Sequence, residues 1–170
     1  MELAIRSANP NDAEAIASIY GPYVRDTSIS FETEPPSAEE MRSRIVATLS
    51  GHPYLVAERG GAVIGYAYSG PFHRRAAYRT TVEVSAYIAA DARGGGAGRA
   101  LYEALLTELR TRSFHAAIGV IALPNAASVA LHERFGFRHV GTLREVGAKF
   151  GHWHDVGWWQ LRLNEDGPPL

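Results

Sequence analysis

The sequence predicts an α/β fold in which one mixed sheet carries helices on both faces. Apolar and β-branched runs alternate with amphipathic helical patterns in the order β-α-α-β-β-β-α-β-α-β-β. The chain has 170 residues, of which 46% are hydrophobic and 21% charged, and this is ordinary for one globular domain. We therefore predict a single domain over residues 1–163 and a polar tail over residues 164–170.

The first third of the chain predicts one strand and two helices. Residues 3–6 alternate like a short strand, and the polar residues 11–12 can cap the helix that follows. We expect this helix to end or bend near Pro22, because proline removes a backbone donor. Ser37 and Glu40 have the spacing of a capping box and predict the start of the second helix.

Six further runs predict the remaining strands. They cover residues 54–58, 62–69, 80–89, 115–122, 137–146 and 156–163. The run at 80–89 is the best candidate for a central strand, because it is long and β-branched. Two stretches with apolar residues at helical spacing predict the last two helices, over residues 98–112 and 126–135.

The composition excludes several classes of protein. The chain contains no cysteine, which excludes disulfides, thiol nucleophiles and thiolate metal sites. A formal net charge of −1 argues against a general nucleic-acid binder. No run approaches the ~18 apolar residues of a membrane span, and no export signal is evident. We expect a cytoplasmic protein that has neither nucleic acid nor membrane as a partner.

The most informative segment lies between the predicted central strand and the next helix. Free N–H groups at a helix N-terminus attract anions, glycine permits close approach of the backbone, and arginine pairs with phosphate. The segment fits neither a P-loop, which needs Lys and Ser or Thr, nor a dinucleotide fingerprint, which needs a third glycine. A flexible glycine turn is the alternative. The predicted diphosphate-binding loop consists of Arg93, Gly94, Gly95, Gly96, Ala97, Gly98 and Arg99.

Two segments resemble the GNAT superfamily of N-acetyltransferases. The pattern Arg93-x-x-Gly96-x-Gly98 is similar to the acyl-CoA pyrophosphate loop of that family, and residues 125–137 are similar to the family motif that follows it. The resemblance implies the family's fold, in which a mixed, mostly antiparallel sheet has a splayed central strand. It also implies acetyl-CoA as co-substrate and no metal.

Further segments resemble one branch of this family. Residues 30–35, 72–87 and 147–155 are similar to the acetyltransferases of phosphinothricin and of methionine sulfone or sulfoximine. The resemblance implies direct transfer of an acetyl group to the α-amine of a small amino-acid analogue. The absence of cysteine agrees with direct transfer, since no thiol can carry the acyl group. The alternatives are a GNAT enzyme for a protein N-terminus or a polyamine, and a non-catalytic CoA-binding module.

Two residues are candidates for proton transfer. An α-amine is mostly protonated at neutral pH and must lose a proton before it attacks, so a base is required. The resemblance implies Glu83, acting through a water, although a strand carboxylate in an ion pair is the alternative. His132 stands where many family members have tyrosine, so it is either an acid for the leaving thiolate or a structural histidine.

The resemblance also implies residues that bind acetyl-CoA beyond the loop. Ala86, Tyr87 and Ile88 are expected to pair with the pantetheine arm like an added strand. A backbone N–H near Tyr87 and Ile88 is expected to stabilise the oxyanion. Asn125 and Ser128 precede His132 by one or two helical turns and are expected to contact the pantetheine or a bound water.

The acceptor requires a clamp for its carboxylate. Arg75 is the first choice, because a guanidinium holds a carboxylate with two parallel bonds, and Arg74 and Arg79 are its competitors. A cluster of three arginines is more often simply a solvated surface. Phe31 and Tyr78 are expected to form the walls of the acceptor pocket.

The C-terminal segment carries histidine, tryptophan and lysine. His152 and His154 are two residues apart, but no recognised ligand pattern accompanies them, and we expect no metal. The tryptophans are expected to pack a strand pair or a subunit contact, and the resemblance implies a homodimer. In such a dimer Lys149 and Trp153 could approach the neighbouring active site.

Overall fold

One seven-stranded sheet forms the centre of the molecule. The computed structural model describes residues 2–165 and 167. Within them the strand order is β1-β2-β3-β4-β5-β7-β6, β4 and β5 form the one parallel pair, and all other neighbours are antiparallel. This confirms the predicted mixed, mostly antiparallel sheet. The strands are β1 (Leu3–Ser7), β2 (Tyr54–Arg59), β3 (Ala62–Pro71), β4 (Thr81–Ile88), β5 (Ala116–Ala122), β6 (Arg138–Lys149) and β7 (His152–Arg162).

Helices cover both faces of the sheet, as predicted. The helices are α1 (Ala13–Asp26), α2 (Ala38–Leu49), α3 (Ala97–Thr111) and α4 (Ala126–Arg134). The α1 and α2 side has its own core, which includes Ile16, Val24, Ile45, Val56 and Tyr66. The α3 and α4 side has a second core, which includes Val82, Leu101, Leu105, Leu106 and Leu109. Full burial of each such aliphatic side chain stabilises the fold by about 1.5–3 kcal/mol.

Helix α1 runs through Pro22 to Asp26, so the expectation that it ends at Pro22 is wrong. The proline lacks the N–H that would bond the carbonyl of Ser18. The last turn nevertheless buries Tyr23 and Val24 against the sheet, and the Tyr23 hydroxyl donates to the carbonyl of Ile88 at 2.7 Å. Tertiary burial and this bond offset the missing helical hydrogen bond.

The cap of α2 forms only in part. The Ser37 hydroxyl accepts from the backbone N–H of Glu40 at 3.1 Å, but the Glu40 carboxylate pairs with Arg44 instead of returning to the cap. A complete capping box occurs before α1. There the Asn9 side chain accepts from the backbone of the turn that follows it, and the Asp12 carboxylate accepts from the backbone N–H of Asn9. Arg6 also forms an ion pair with Asp12.

The β6–β7 hairpin is longer than predicted. The sequence patterns predict strands over 137–146 and 156–163, whereas β6 continues to Lys149 and β7 begins at His152. Phe150 and Gly151 form the turn, both with positive φ angles of 54° and 74°. Residues 147–149 do not alternate between apolar and polar, and the alternation at 152–154 is too short to predict a strand, so the pattern of hydrophobicity did not identify them.

The central strands β4 and β5 part from each other halfway along their length. Their pairing runs from Thr81 opposite Ala116 to Val84 opposite Gly119. Beyond that point β4 continues to Ile88 and β5 to Ala122, but the two strands no longer pair with each other. The sheet therefore has the splayed central strand that the resemblance implies, and a slot opens between the two strands.

The first residue of the predicted tail is held to the body of the protein. The Asn164 side-chain amide donates to the carbonyls of Arg110 and Phe114 at 3.3 and 2.9 Å. Asp166 and residues 168–170 of the predicted tail lie outside the described residues. Among the helices of residues 2–165 and 167, none is both long and apolar enough to span a membrane.

Candidate active site

The slot between β4 and β5 opens into a cavity of about 440 Å³. Its walls are the free ends of the two strands, the N-terminal half of α3 and one side of α4. A second cavity of about 570 Å³, between the end of α1 and the β6–β7 turn, is lined by Lys149 and Trp153 but by none of the predicted catalytic, acetyl-CoA-binding or acceptor-binding residues. The predicted acetyl-CoA-binding residues that line the slot cavity are Ala86, Tyr87, Ile88, Arg93, Gly94, Gly96, Ala97, Gly98, Arg99, Asn125 and Ser128.

The glycine loop presents a bare helix N-terminus to this cavity. Gly94 and Gly96 have φ angles of 77° and 83°, a conformation that favours glycine. Gly96 is the N-cap of α3, and its carbonyl accepts the first helical bond, from Ala100 at 3.0 Å. The backbone N–H groups of residues 97–99 therefore have no partner within the helix. Together with the helix dipole they suit an anionic ligand.

Arginine side chains surround the loop. The Arg93 guanidinium lies over the Tyr23 ring, 5.0 Å from its centroid, and both Arg93 and Arg99 line the cavity. Arg59, which the sequence analysis did not single out, donates to the carbonyl of Gly95 at 3.1 Å. Gly95 thus supports the loop from outside the cavity. The cavity has a cationic end that can hold a diphosphate.

The free edge of β4 offers backbone groups to the slot. Backbone bonds from Phe72 to Thr81 and from Ala89 to Ile64 place the odd-numbered residues of β4 toward β3. Ala86 therefore directs its N–H and carbonyl into the slot, whereas Tyr87 bonds toward β3. Ile88 also faces the slot, but the Tyr23 hydroxyl contacts both its N–H and its carbonyl. The amide best placed for a ligand is that of Ala86.

The opposite edge belongs to β5. The backbone N–H of Leu123 donates to the carbonyl of Asp155 in β7 at 2.9 Å. The odd-numbered residues of this segment therefore direct their backbone groups toward β7, and the even-numbered residues direct theirs toward β4 and the slot. Val120 therefore turns its N–H toward the slot, and its side chain is exposed in the cavity. Val120 could not be identified from the sequence, because an apolar residue in an apolar strand is expected to be part of the core.

Glu83 lies one residue before the point where β4 and β5 separate. Its Cα partners are Gly70 in β3 and Ile118 in β5. It alternates with the buried Val82 and Val84, so it lies on the opposite face of the sheet from α3. Partial burial raises the pKa of this carboxyl above its usual value of 4.5. Glu83 is adjacent to the slot cavity but does not line it.

His132 is 4% exposed and is held by hydrogen bonds at both ring nitrogens. Its Nδ1 lies 2.8 Å from the Ser128 carbonyl, which can only accept, so Nδ1 carries a proton. Burial lowers the pKa of His132, and the neutral ring accepts at Nε2 from the Tyr102 hydroxyl at 2.8 Å. Tyr102 lies within the helix predicted over residues 98–112, and only the fold reveals its contact with His132.

Two further features fix this histidine. Gly119 of β5 lies directly against the ring, and a Cβ atom there would be 2.4 Å from His132 Nε2. The Asn125 side chain accepts from the backbone N–H of Ser128 at 3.2 Å and so caps α4. Asn125, Ser128 and His132 therefore share one side of α4, as their spacing predicts.

The predicted acceptor residues lie outside the slot cavity. Arg75 and its competitors Arg74 and Arg79 are exposed on the loop between β3 and β4, and no ion pair joins them to other described residues. Tyr78, on the same loop, packs edge-on against Phe72. The structure therefore does not bring the arginine cluster into contact with Glu83.

Phe31 packs against the β6–β7 hairpin and not against the loop that carries Arg75 and Tyr78. Its ring lies against the backbone of Gly147, where an added Cβ would be 2.2 Å away, and its centroid is 5.9 Å from that of His154. Within residues 2–165 and 167, no three histidine, aspartate or glutamate side chains gather as a metal site. His154 instead has its Nε2 3.2 Å from the carbonyl of Lys149.

The parted strands and the bare helix N-terminus form a site suited to a ligand that has a diphosphate and an extended arm. The chain belongs to the GNAT acetyltransferase family, since the profile of the acetyltransferase (GNAT) domain matches residues 5–158. It is therefore an N-acetyltransferase that depends on acetyl-CoA.

Curated relatives and solved structures are similar to this protein over nearly the whole chain. A phosphinothricin N-acetyltransferase of Streptomyces coelicolor is 42% identical over 95% of this chain and 97% of its own. A methionine sulfoximine and methionine sulfone acetyltransferase of Pseudomonas paraeruginosa is 36% identical over 96% of both chains. The crystal structure of a phosphinothricin acetyltransferase from Sinorhizobium meliloti with acetyl-CoA has a TM-score of 0.95 and 37% identity, covering 99% of this chain and 94% of that one.

Proposed function

We propose that this enzyme acetylates the α-amine of a small amino-acid analogue of the phosphinothricin, methionine sulfone or methionine sulfoximine type. The observation that carries the proposal is Glu83, a carboxyl of raised pKa at the point where the sheet opens beside the acetyl-CoA cavity. The names of the full-length relatives support the acceptor class.

Glu83 serves as the general base. Acetyl-CoA, when bound, supplies the acetyl group and a thiolate leaving group. Glu83 takes a proton from the acceptor ammonium, through a water, and frees the nitrogen lone pair for attack on the acetyl carbon. The new C–N bond forms as the C–S bond breaks. The backbone N–H groups of Ala86 and Val120, which face the slot, donate to the carbonyl oxygen as negative charge develops there.

His132 has a conditional role as the acid. A neutral His132 whose Nε2 accepts from Tyr102 has no proton to give at that nitrogen. It can protonate the leaving thiolate only after it takes up a proton itself, and burial disfavours this. In its neutral state it fixes the Tyr102 hydroxyl at the cavity wall.

The loop and α4 hold the acetyl-CoA. The N–H groups of residues 97–99, with Arg93 and Arg99, bind the diphosphate. Gly94 and Gly96 permit the close approach, and Gly95 supports the loop through Arg59. The free edge of β4 pairs with the pantetheine arm through the carbonyl of Ala86, and Tyr87 and Ile88 flank this contact in the cavity wall. Asn125 and Ser128 contact that arm from α4.

Arg75 provides the clamp for the acceptor carboxylate, and Phe31 and Tyr78 form walls of the acceptor pocket. The exposed guanidinium of Arg75 has no carboxylate partner among the described residues, so it is free to bind one. Arg74 and Arg79 share this property and remain competitors. Two parallel bonds to a carboxylate would fix the α-amine relative to Glu83.

The enzyme acts as a homodimer in the cytoplasm, and residues 1–163 form its single domain. The edge strand β6 and its hairpin expose a set of large apolar side chains, which supports a subunit contact. These are Val140, Leu143, Val146, Phe150 and Trp153, the last 66% exposed. Light scattering after gel filtration would give twice the mass of the 18.5 kDa chain, whereas the chain mass alone would refute the dimer.

An acceptor screen tests the proposed function. The enzyme and acetyl-CoA are mixed separately with phosphinothricin, methionine sulfone, methionine sulfoximine, ordinary amino acids and a polyamine. Released CoA is measured as free thiol, which is clean because the chain has no cysteine. We expect the first three acceptors to give the highest kcat/KM and the N-acetyl products by mass. A preference for the polyamine, or no turnover with any amino acid, would refute the proposal.

A further inference from the structure

Lys149 is buried and holds three backbone carbonyls. It is the only lysine among the 17 Lys and Arg residues of the chain, and it is 7% exposed. Its ammonium donates to the carbonyls of Val24 at 2.6 Å, Thr27 at 2.8 Å and Ser30 at 2.6 Å. All three N–H bonds are thereby used within its own chain. The ammonium therefore has no N–H donor left for a neighbouring active site.

The geometry explains why this position holds a lysine. An ammonium has three N–H donors that spread in three directions, whereas the donors of a guanidinium lie in one plane. Three carbonyls that converge on one point match the donors of an ammonium and not those of a guanidinium. Val24 lies in the last turn of α1, where carbonyls lack helical partners and a cation is favoured.

The ammonium ties a loop to the β6–β7 hairpin. Residues 27–36, which we call the acceptor-side loop, join α1 to α2 and contain Phe31. Lys149 holds the start of this loop, and Gly147, two residues earlier on β6, supports the Phe31 ring. Two residues of one strand thus fix the position of the loop. Lys149 does not line the acetyl-CoA cavity.

We propose that Lys149 is a positioning residue that fixes the acceptor-side loop and so keeps Phe31 in the wall of the acceptor pocket. This inference rests on the proposed function, because it takes Phe31 as an acceptor contact. Loss of the ammonium frees the loop and weakens acceptor binding. Acetyl-CoA binding changes much less, because Ile29 is the one residue of this loop that lines the acetyl-CoA cavity and the diphosphate-binding residues 93–99 lie on other elements.

Steady-state kinetics of Lys149→Met test this role. We expect KM for the amino acceptor to rise at least about tenfold while KM for acetyl-CoA stays within about twofold. Arg144→Met is the matched control, since it removes a cation from the same hairpin that pairs with Asp155 and does not touch the loop. Equal changes in both KM values, or none in either, would overturn the inference.

Chemical rescue distinguishes the ammonium from general packing. Because the chain has no cysteine, Lys149→Cys can be alkylated at one site in urea and refolded. Bromoethylamine restores an ammonium of nearly the length of lysine, whereas iodoacetamide adds a neutral amide. We expect only the first to restore the acceptor KM, relative to wild-type protein taken through the same urea cycle. Equal recovery with both reagents, or recovery with neither, would overturn the inference.

Hydrogen exchange separates this inference from the proposed function. A wild-type enzyme that acetylates no amino acid refutes the proposed function. In that case amide hydrogen exchange still tests whether Lys149 fixes the acceptor-side loop. We expect Lys149→Met to accelerate amide exchange in residues 27–36 at least about tenfold and to leave residues 93–99 unchanged. Unchanged exchange in residues 27–36 would overturn the role of Lys149 whatever the acceptor.

Discussion

The substitution Glu83→Gln removes the proposed base and keeps the size of the side chain. A positioned general base contributes about 100-fold to 10,000-fold, which corresponds to about 3–5 kcal/mol of activation free energy. We expect kcat/KM at neutral pH to fall within this range. Acetyl-CoA affinity should stay unchanged, because Glu83 is adjacent to the cavity without lining it.

The pH dependence gives the same variant a sharper test. A base acts only in its ionised form, so kcat/KM of the wild type must fall as pH falls through the pKa of Glu83. Burial raises that pKa above 4.5, and the acid limb of the profile therefore lies at higher pH than for an exposed glutamate. The Gln variant should lose this limb, because its amide does not titrate.

The assay is release of CoA with acceptor and acetyl-CoA each varied, over a range of pH. Glu103→Gln is a suitable control, since it changes an exposed carboxylate on α3 away from the slot. A thermal shift with acetyl-CoA verifies that each variant still binds it. An undiminished rate for Glu83→Gln, or a variant that retains the acid limb, would remove Glu83 as the base.

Three other substitutions probe separate parts of the site. Gly96→Val places a branched side chain at a φ of 83° beside the diphosphate position, where the backbone alone costs about 1–2 kcal/mol, and calorimetry should show at least about tenfold weaker acetyl-CoA binding. Unchanged affinity would place the loop elsewhere. Arg75→Ala should raise KM for a carboxylate-bearing acceptor far more than KM for acetyl-CoA, and equal effects would move the clamp to Arg74 or Arg79. Gly119→Ala forces a Cβ against the His132 ring and should lower stability by about 1–3 kcal/mol in a urea titration, whereas an unchanged midpoint would contradict the packing.

Local patterns predicted the order of the elements well, because strand and helix periodicities and helix caps are properties of neighbouring residues. The errors arose where distant contacts decide the outcome. Helix α1 passes Pro22 because Tyr23 and Val24 are buried against the sheet and Tyr23 bonds to Ile88, which is 65 residues away along the chain. The β6–β7 turn at residues 150–151 was not predicted because residues 147–149 lack alternation and the alternation at 152–154 is short.

The residues of the site also divide into those that a local motif identifies and those that only contacts between distant parts of the chain identify. The glycine loop is a contiguous motif, so its residues could be found from the sequence and the structure brings nearly all of them to one cavity. Arg59 and Tyr102 could not be found, since their partners Gly95 and His132 are 36 and 30 residues away along the chain. The acceptor residues come from separate loops, and no local pattern determines how those loops meet.

The position of His132 links the shape of the slot to its chemistry. Gly119 is the last residue of β5 that pairs with β4, and the His132 ring occupies the space where a side chain at Gly119 would lie. The ring therefore packs at the point where the strands part, and it also orients the Tyr102 hydroxyl. A substitution of His132 must then disturb the slot as well as any proton supply. A loss of rate alone would not identify an acid, whereas a displaced alkaline limb with unchanged acetyl-CoA affinity would.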